Sequence, residues 1–134
     1  MQTIVVDTNI ILRYLLKDHP DFFIRANGFW DKVKQGHYLA FVSEGVLVEC
    51  VFVLLKVYRV PRQELADVML AFLETPGLMA TDLAILRHAL VLFRGHAIDV
   101  VDALVVATAQ RHDWAVESFD RDVIHHFGRP SPSF

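Results

Sequence analysis

The apolar positions fall into short β-branched runs separated by longer stretches of helical spacing. Thr3–Val6 is a β-branched run ending at Asp7 and reads as a buried strand. Apolar residues at 10, 11, 12, 14, 15 and 16 are too dense for alternation and suit a buried helix from Ile10 to Lys17. Pro20 opens a second helix to about Lys34, with Phe22, Phe23, Ala26, Trp30 and Val33 along one stripe. Gly36 closes it, and Tyr38–Val42 reads as a second strand. Ser43 is placed to cap an apolar helix running to about Tyr58. Pro61 starts another, with Leu65, Val68, Met69 and Phe72 at helical spacing, ended by Pro76-Gly77. Leu78–Ala80 reads as a third short strand, Asp82–Phe93 and Ile98–His112 as helices, Trp114–Glu117 as a fourth strand, and Asp120 as the start of a short helical turn. The order β-α-α-β-α-α-β-α-α-β-α predicts the α/β class, with a mostly parallel sheet of four or five short strands covered by helices on both faces. No repeat, low-complexity tract or linker divides the chain. Residues 1–134 therefore read as one domain with an irregular tail over 127–134.

Composition narrows the function classes. With 134 residues, 54% of them hydrophobic, the chain is long enough and apolar enough to bury a core, which excludes a disordered segment. The longest apolar stretches, Cys50–Leu55 among them, fall far short of the ~20 residues that span a bilayer, so no membrane association is expected. Asp7 interrupts the first apolar run and no basic residue precedes it, so no secretory signal is read and the expected location is cytoplasmic. A single cysteine excludes a disulfide framework and a cysteine-rich zinc site. The formal charge is −3, from 13 Lys+Arg against 16 Asp+Glu, and no basic block occurs. That excludes simple electrostatic coating of duplex DNA and turns attention to the acids.

Several carboxylates stand where folding alone does not require them. Asp7 follows the first strand and begins a helix, and the carboxyl ends of parallel strands are where ligands bind. Its bland alternative is an N-cap. Glu49 is the one charge between Gly45 and Leu55, with Gly45, Val46, Phe52 and Val53 as its helical neighbours. A helix apolar all round is expected to be buried, and a buried carboxylate must be paired, protonated or bound to a cation. Asp99 and Asp102 are the only charges between Ala97 and Ala109, one turn apart near a helix start. Capping explains Asp99 readily and the deeper Asp102 less well. Asp120, after the fourth expected strand, is a second acid at a strand-to-helix corner. Two unit charges about 4 Å apart repel by roughly 4 kcal/mol at an effective dielectric of 20, so converging acids protonate or take a cation. All-oxygen ligation suits Mg²⁺ or Mn²⁺.

In order, VVDTNIILRYLL, VSEGVLVECVFVLLKVYRVPRQEL and AIDVVDALVVATAQRHDWAVESFDRDV resemble the PIN domain, specifically the single-domain ribonuclease toxins of VapC type from type II toxin–antitoxin pairs. The resemblance runs from about Ile4 to Phe127 and implies a PIN-like three-layer fold. It implies that Asp7, Glu49, Asp102 and Asp120 are the four acids, with Asp99 matching an acid often seen one turn earlier. Thr8 and Asn9, in the D-T-N segment, are then supports that orient Asp7 or bind water at the metal. Ser118 stands where the family more often has Thr and keeps the hydroxyl, whereas GRPSPSF is a poor match to the strand the family usually adds at the end. The resemblance further implies Mg²⁺-dependent RNA cleavage (Mn²⁺ a plausible substitute), a small cognate antitoxin and homodimerisation. The expected metal ligands are Asp7 and Asp102, with Glu49, Asp99 and Asp120 as further candidates. Arg13 and Lys17, one turn apart after Asp7, are candidates for substrate phosphates, with a solvated helix end as the equal alternative.

Two other classes compete. An aspartyl-nucleophile phosphohydrolase also places Asp after its first strand, but it needs a second Asp two residues on, where Asn9 stands, and a late Lys, whereas the last is Lys56. A catalytically silent PIN-like module for RNA or protein binding is the other, and degenerate members are expected to lose acids that are all present here. His125-His126 and His112-Asp113 lack metal-ligand spacing, and no G-x-G or Walker loop occurs. The Phe22, Phe23 and Trp30 stripe is expected in the core, with a groove for a partner helix as the alternative.

Overall fold

The structure is a computed structural model, and it describes residues 1–120 and Val123. Three strands and six helices occur among the described residues: β1 (Gln2–Val5), α1 (Thr8–Leu16), α2 (Pro20–Lys34), β2 (Tyr38–Phe41), α3 (Glu44–Lys56), α4 (Arg62–Leu73), β3 (Leu78–Met79), α5 (Leu83–Gly95) and α6 (Val100–His112). The sheet order is β1-β2-β3, all parallel, with Gln2–Val5 beside Tyr38–Phe41 and Ala40–Phe41 beside Leu78–Met79. Parallel neighbours need a crossover, and each is made here by a pair of helices. No helix among the described residues is long and apolar enough to cross a membrane.

Local chemistry sets the boundaries. Ser43 accepts the Val46 amide and Asp82 the Ile85 amide, so α3 and α5 begin on side-chain caps. Pro20 takes the first turn of α2, where its missing N–H leaves nothing unsatisfied. Gly77 turns the chain into β3 at φ 88, and a Cβ there would lie 2.9 Å from Val33 Cγ1. Glycine is thus required for both torsion and space.

Trp30 organises the core. It is fully buried, donates its indole N–H to the Ile10 carbonyl at 3.1 Å, and packs edge-on against Phe72 at 5.1 Å. One side chain thereby ties α1, α2 and α4 together. The main core continues through Leu47, Leu65, Met69, Leu90 and Phe93, while Val106, Ala109, Val116 and Val123 form a small separate cluster.

Two expectations change. The sheet shows three strands among the described residues rather than four or five, and Trp114–Glu117 is reduced to a single bridge at Val116. The run alternates, but Trp114 is 59% exposed, and only Val116 finds an apolar partner surface, in the small cluster. On α2, Ala26, Trp30 and Val33 are buried as the stripe predicts, whereas Phe22 is exposed near the helix start. Arg121, Asp122, His125-His126, the turn that follows Asp120 (apart from helical Val123) and the 127–134 tail lie outside the described residues.

Candidate active site

Asp7 occupies the corner between β1 and α1. Its backbone is extended, at φ −88 and ψ 160, and its carboxylate accepts the Thr8 amide at 2.7 Å. It is thus both the cap and an exposed acid at a strand end. Thr8 is buried, and its hydroxyl donates to Glu49 Oε2 at 3.0 Å. The first helix therefore holds Asp7 by its backbone and Glu49 by its first side chain. Asn9, next on α1, lines a groove of about 560 Å³ with Val5, Ile10, Arg13 and Phe22.

Glu49 is exposed, which corrects the burial expected from its apolar surroundings. Its helix carries apolar side chains on two faces. Leu47, Cys50, Val51 and Leu54 enter the core, while Phe52 is 57% exposed and Gly45 is open beside Glu49. The apolar periphery of α3 faces outward rather than inward. Cys50 lies below, its thiol pushed up to about 12 by burial, with the charges of Glu49 and Asp7 adding to the effect. It stays a protonated, inert thiol at neutral pH.

The second acidic group forms at the start of α6. Asp99 is the N-cap, its carboxylate accepting the Asp102 amide at 2.8 Å. Asp102 is half-buried one turn in. Its carboxyl is pushed above the usual range by burial first, then by the charges of Asp99 and Asp120. Asp120 accepts the Val123 amide at 3.4 Å, and its own amide donates to Ser118 Oγ at 2.9 Å. Ser118 thus shapes the turn that carries Asp120.

The structure brings Asp7 together with Glu49, through Thr8, and Asp102 together with its cap Asp99, with Asp120 within electrostatic reach of Asp102. Helix α3, which carries Glu49, packs against both α1 and α6, the helices that begin beside Asp7 and at Asp99. Among the described residues, no three acids, histidines or cysteines come close enough to enclose one metal ion. The donor chemistry nonetheless fits Mg²⁺, which keeps most of its waters and takes one or two carboxylates beside substrate phosphate. The like-charge pressure on Asp102 is what a cation would relieve.

Arg13 and Lys17 sit at the far end of α1 from Asp7. Arg13 pairs with Asp18 at 3.2 Å, and Asp18 also accepts the Tyr58 hydroxyl at 3.1 Å. Lys17 is the left-handed C-cap, its ammonium 5.6 Å from the Phe23 ring centre. Asp18 and Tyr58 carried no signal in the sequence, because contacts across 40 residues leave no local pattern. Asp99 lines a groove of about 400 Å³ together with Phe52, Lys56, Arg62 and Phe93, whereas the two larger grooves run beside the acids. The one between α3 and α6, about 590 Å³, is lined by Gly45, Val48, Val101, Val105 and Trp114.

A parallel sheet flanked by helices, with carboxylates at a strand end and at helix starts, defines an α/β protein whose acidic edge suits a hard cation and a phosphate. The chain belongs to the PIN domain family, whose profile matches residues 4–129 and so spans all four acids. PIN domains are generally nucleases and typically depend on metal. Searches of curated proteins and of solved structures return no match.

Proposed function

We propose that the chain is a Mg²⁺-dependent endoribonuclease of VapC type, the toxin of a type II toxin–antitoxin pair. The observation that carries the reading is Asp102: a half-buried acid, held beside two other acids and pushed toward its neutral form, on a helix that packs against the one bearing Glu49. A structural carboxylate gains nothing from such surroundings; a metal ligand does.

In this reading Asp7 and Asp102 hold Mg²⁺, with Asp99 and Asp120 adding negative potential or direct ligation. The bound cation supplies a more acidic water and offsets charge on the scissile phosphate. Glu49 takes the Thr8 hydroxyl on Oε2, leaving Oε1 to orient the attacking water and receive its proton. Asn9, exposed beside Asp7, is placed to hold a further water. Lys17 is a candidate for phosphates further along the RNA, and Arg13 joins it only if substrate displaces Asp18. The proposed partners are a small antitoxin and a second copy of the chain, the latter supported by the exposed Val101, Val105 and Trp114 lining the α3–α6 groove. The proposed location is cytoplasmic, where such a toxin would meet both RNA and its antitoxin.

The test is to sequence RNA ends after brief induction of the chain in cells, with Asp7→Asn as control. New ends at a defined sequence that vanish in Asp7→Asn support the reading; identical ends in both contradict it. One observation favours a catalytically silent module instead, the lack of a three-acid cluster among the described residues. Titration with Mn²⁺ while melting the protein separates the two, since only a state that binds metal is stabilised by it. No rise in Tm at millimolar Mn²⁺ selects the silent module.

A further inference from the structure

Arg62, the first residue of α4, is tied to the backbone at three carbonyls, and it stands near the end of the middle matching segment, 13 residues after Glu49. The two hydrogens of its Nη1 serve three carbonyls, one of them shared: those of Phe93 at 3.0 Å, His96 at 3.1 Å and Ile98 at 2.7 Å. The guanidinium carbon also lies 4.1 Å from the centre of the fully buried Phe93 ring. Phe93 belongs to the last turn of α5, whose carbonyls have no partner within the helix, and 96–98 is the link to α6. The residue after Ile98 is Asp99, whose carboxylate caps α6 at the Asp102 amide.

We infer that Arg62 is the positioning residue of the acidic corner: it staples the α5–α6 link so that Asp99 and Asp102 are held where a divalent cation is received. The geometry has one consequence that ordinary helix capping lacks. Two of the three carbonyls lie beyond α5, in the link itself, so loss of the guanidinium frees the approach to Asp99 rather than only the end of α5. A staple anchored on α4 and on a buried ring gives that approach a rigid reference, and groups behind metal ligands commonly govern affinity by tenfold or more. Arginine suits the task because its planar donors reach several acceptors while its face rests on an aromatic ring.

This inference rests on the nuclease reading for its metal arm, and amide exchange supplies an arm that does not. The variants are Arg62→Met, which keeps much of the packing on Phe93 without donors, Arg62→Lys, and Val33→Ala as a buried control on α2. Arg62→Met is expected to speed exchange of the amides at 99–103 at least tenfold, leave those of α2 and β2 protected, and raise the Mn²⁺ concentration at half-maximal thermal shift about tenfold. Arg62→Lys recovers part of both effects, and Val33→Ala lowers Tm without either. The inference is overturned if exchange at 99–103 matches the Val33→Ala control. It is equally overturned if exchange rises while the Mn²⁺ midpoint stays put, because Arg62 is then a staple for stability alone. Absence of any Mn²⁺ response in the unmodified chain contradicts the nuclease reading, and exchange alone then decides the positioning role.

Discussion

Helices α5 and α6 start in the same way and end up with different work. Each is capped by an aspartate whose carboxylate accepts the amide three residues on, Ile85 for Asp82 at 3.1 Å and Asp102 for Asp99 at 2.8 Å. At α5 the third residue is a buried isoleucine, and Arg111 approaches the cap to 4.0 Å. At α6 the third residue is a second acid, and the charge that reaches it from elsewhere is a third, Asp120. An aspartate cap is therefore uninformative by itself. What marks a site is the residue one turn further in and the sign of the charges around it.

The largest effects are expected at the two third residues, Ile85 and Asp102. Ile85→Ala removes core volume and should lower stability by about 3 kcal/mol, a fall in Tm of roughly 10 °C on thermal melting, without changing the response to Mn²⁺. Asp102→Asn should do the reverse, keeping the fold and abolishing the metal response. In the unmodified chain, Mn²⁺ at 100 times its Kd should stabilise by about 2.7 kcal/mol, and in Asp102→Asn by nothing measurable. At the caps the effects are smaller. Asp82→Ala should destabilise by about 1 kcal/mol in denaturant titration, and Asp99→Ala by less, because losing the cap is offset by relief of Asp102.

The smallest effect is in the pH dependence. Folding raises the Asp102 pKa from its ordinary 3.8, so the folded state binds the proton more tightly than the unfolded chain. Its charge thus destabilises the metal-free fold once pH rises through the raised value, and contributes nothing below the ordinary one. Metal-free Asp102→Asn should melt above the unmodified chain at pH 7, with the difference shrinking to zero as pH falls below 3.8. A difference that grows on acidification would contradict the burial and charge assigned to Asp102.

The same distinction governs what was legible in the sequence. Helix starts at Ser43 and Asp82, the turn at Gly77 and the Ala26–Trp30–Val33 stripe follow from local chemistry and appear where the pattern puts them. The acids were legible as charges isolated in apolar runs, and the Asp99 cap with Asp102 a turn deeper is as the spacing predicts. Glu49 was misread as buried because an apolar neighbourhood looks the same whether it faces a core or an open surface. The fourth strand failed for a related reason: alternation marks a surface able to pair, and at Trp114–Glu117 only Val116 does so among the described residues. Arg62 was invisible, since its three acceptors are backbone carbonyls about 31 to 36 residues away and carry no side-chain signature.

Whether the corner around Asp102 makes this PIN domain a metal-dependent ribonuclease is decided by RNA cleavage with the purified chain, free of any partner. Cleavage is expected in Mg²⁺ or Mn²⁺, none in EDTA, and a rate at least about 100-fold lower for Asp102→Asn, the loss that follows when several kcal/mol of metal-borne charge stabilisation is removed. Cleavage that persists in EDTA, or an Asp102→Asn variant as active as the unmodified chain, would contradict that role.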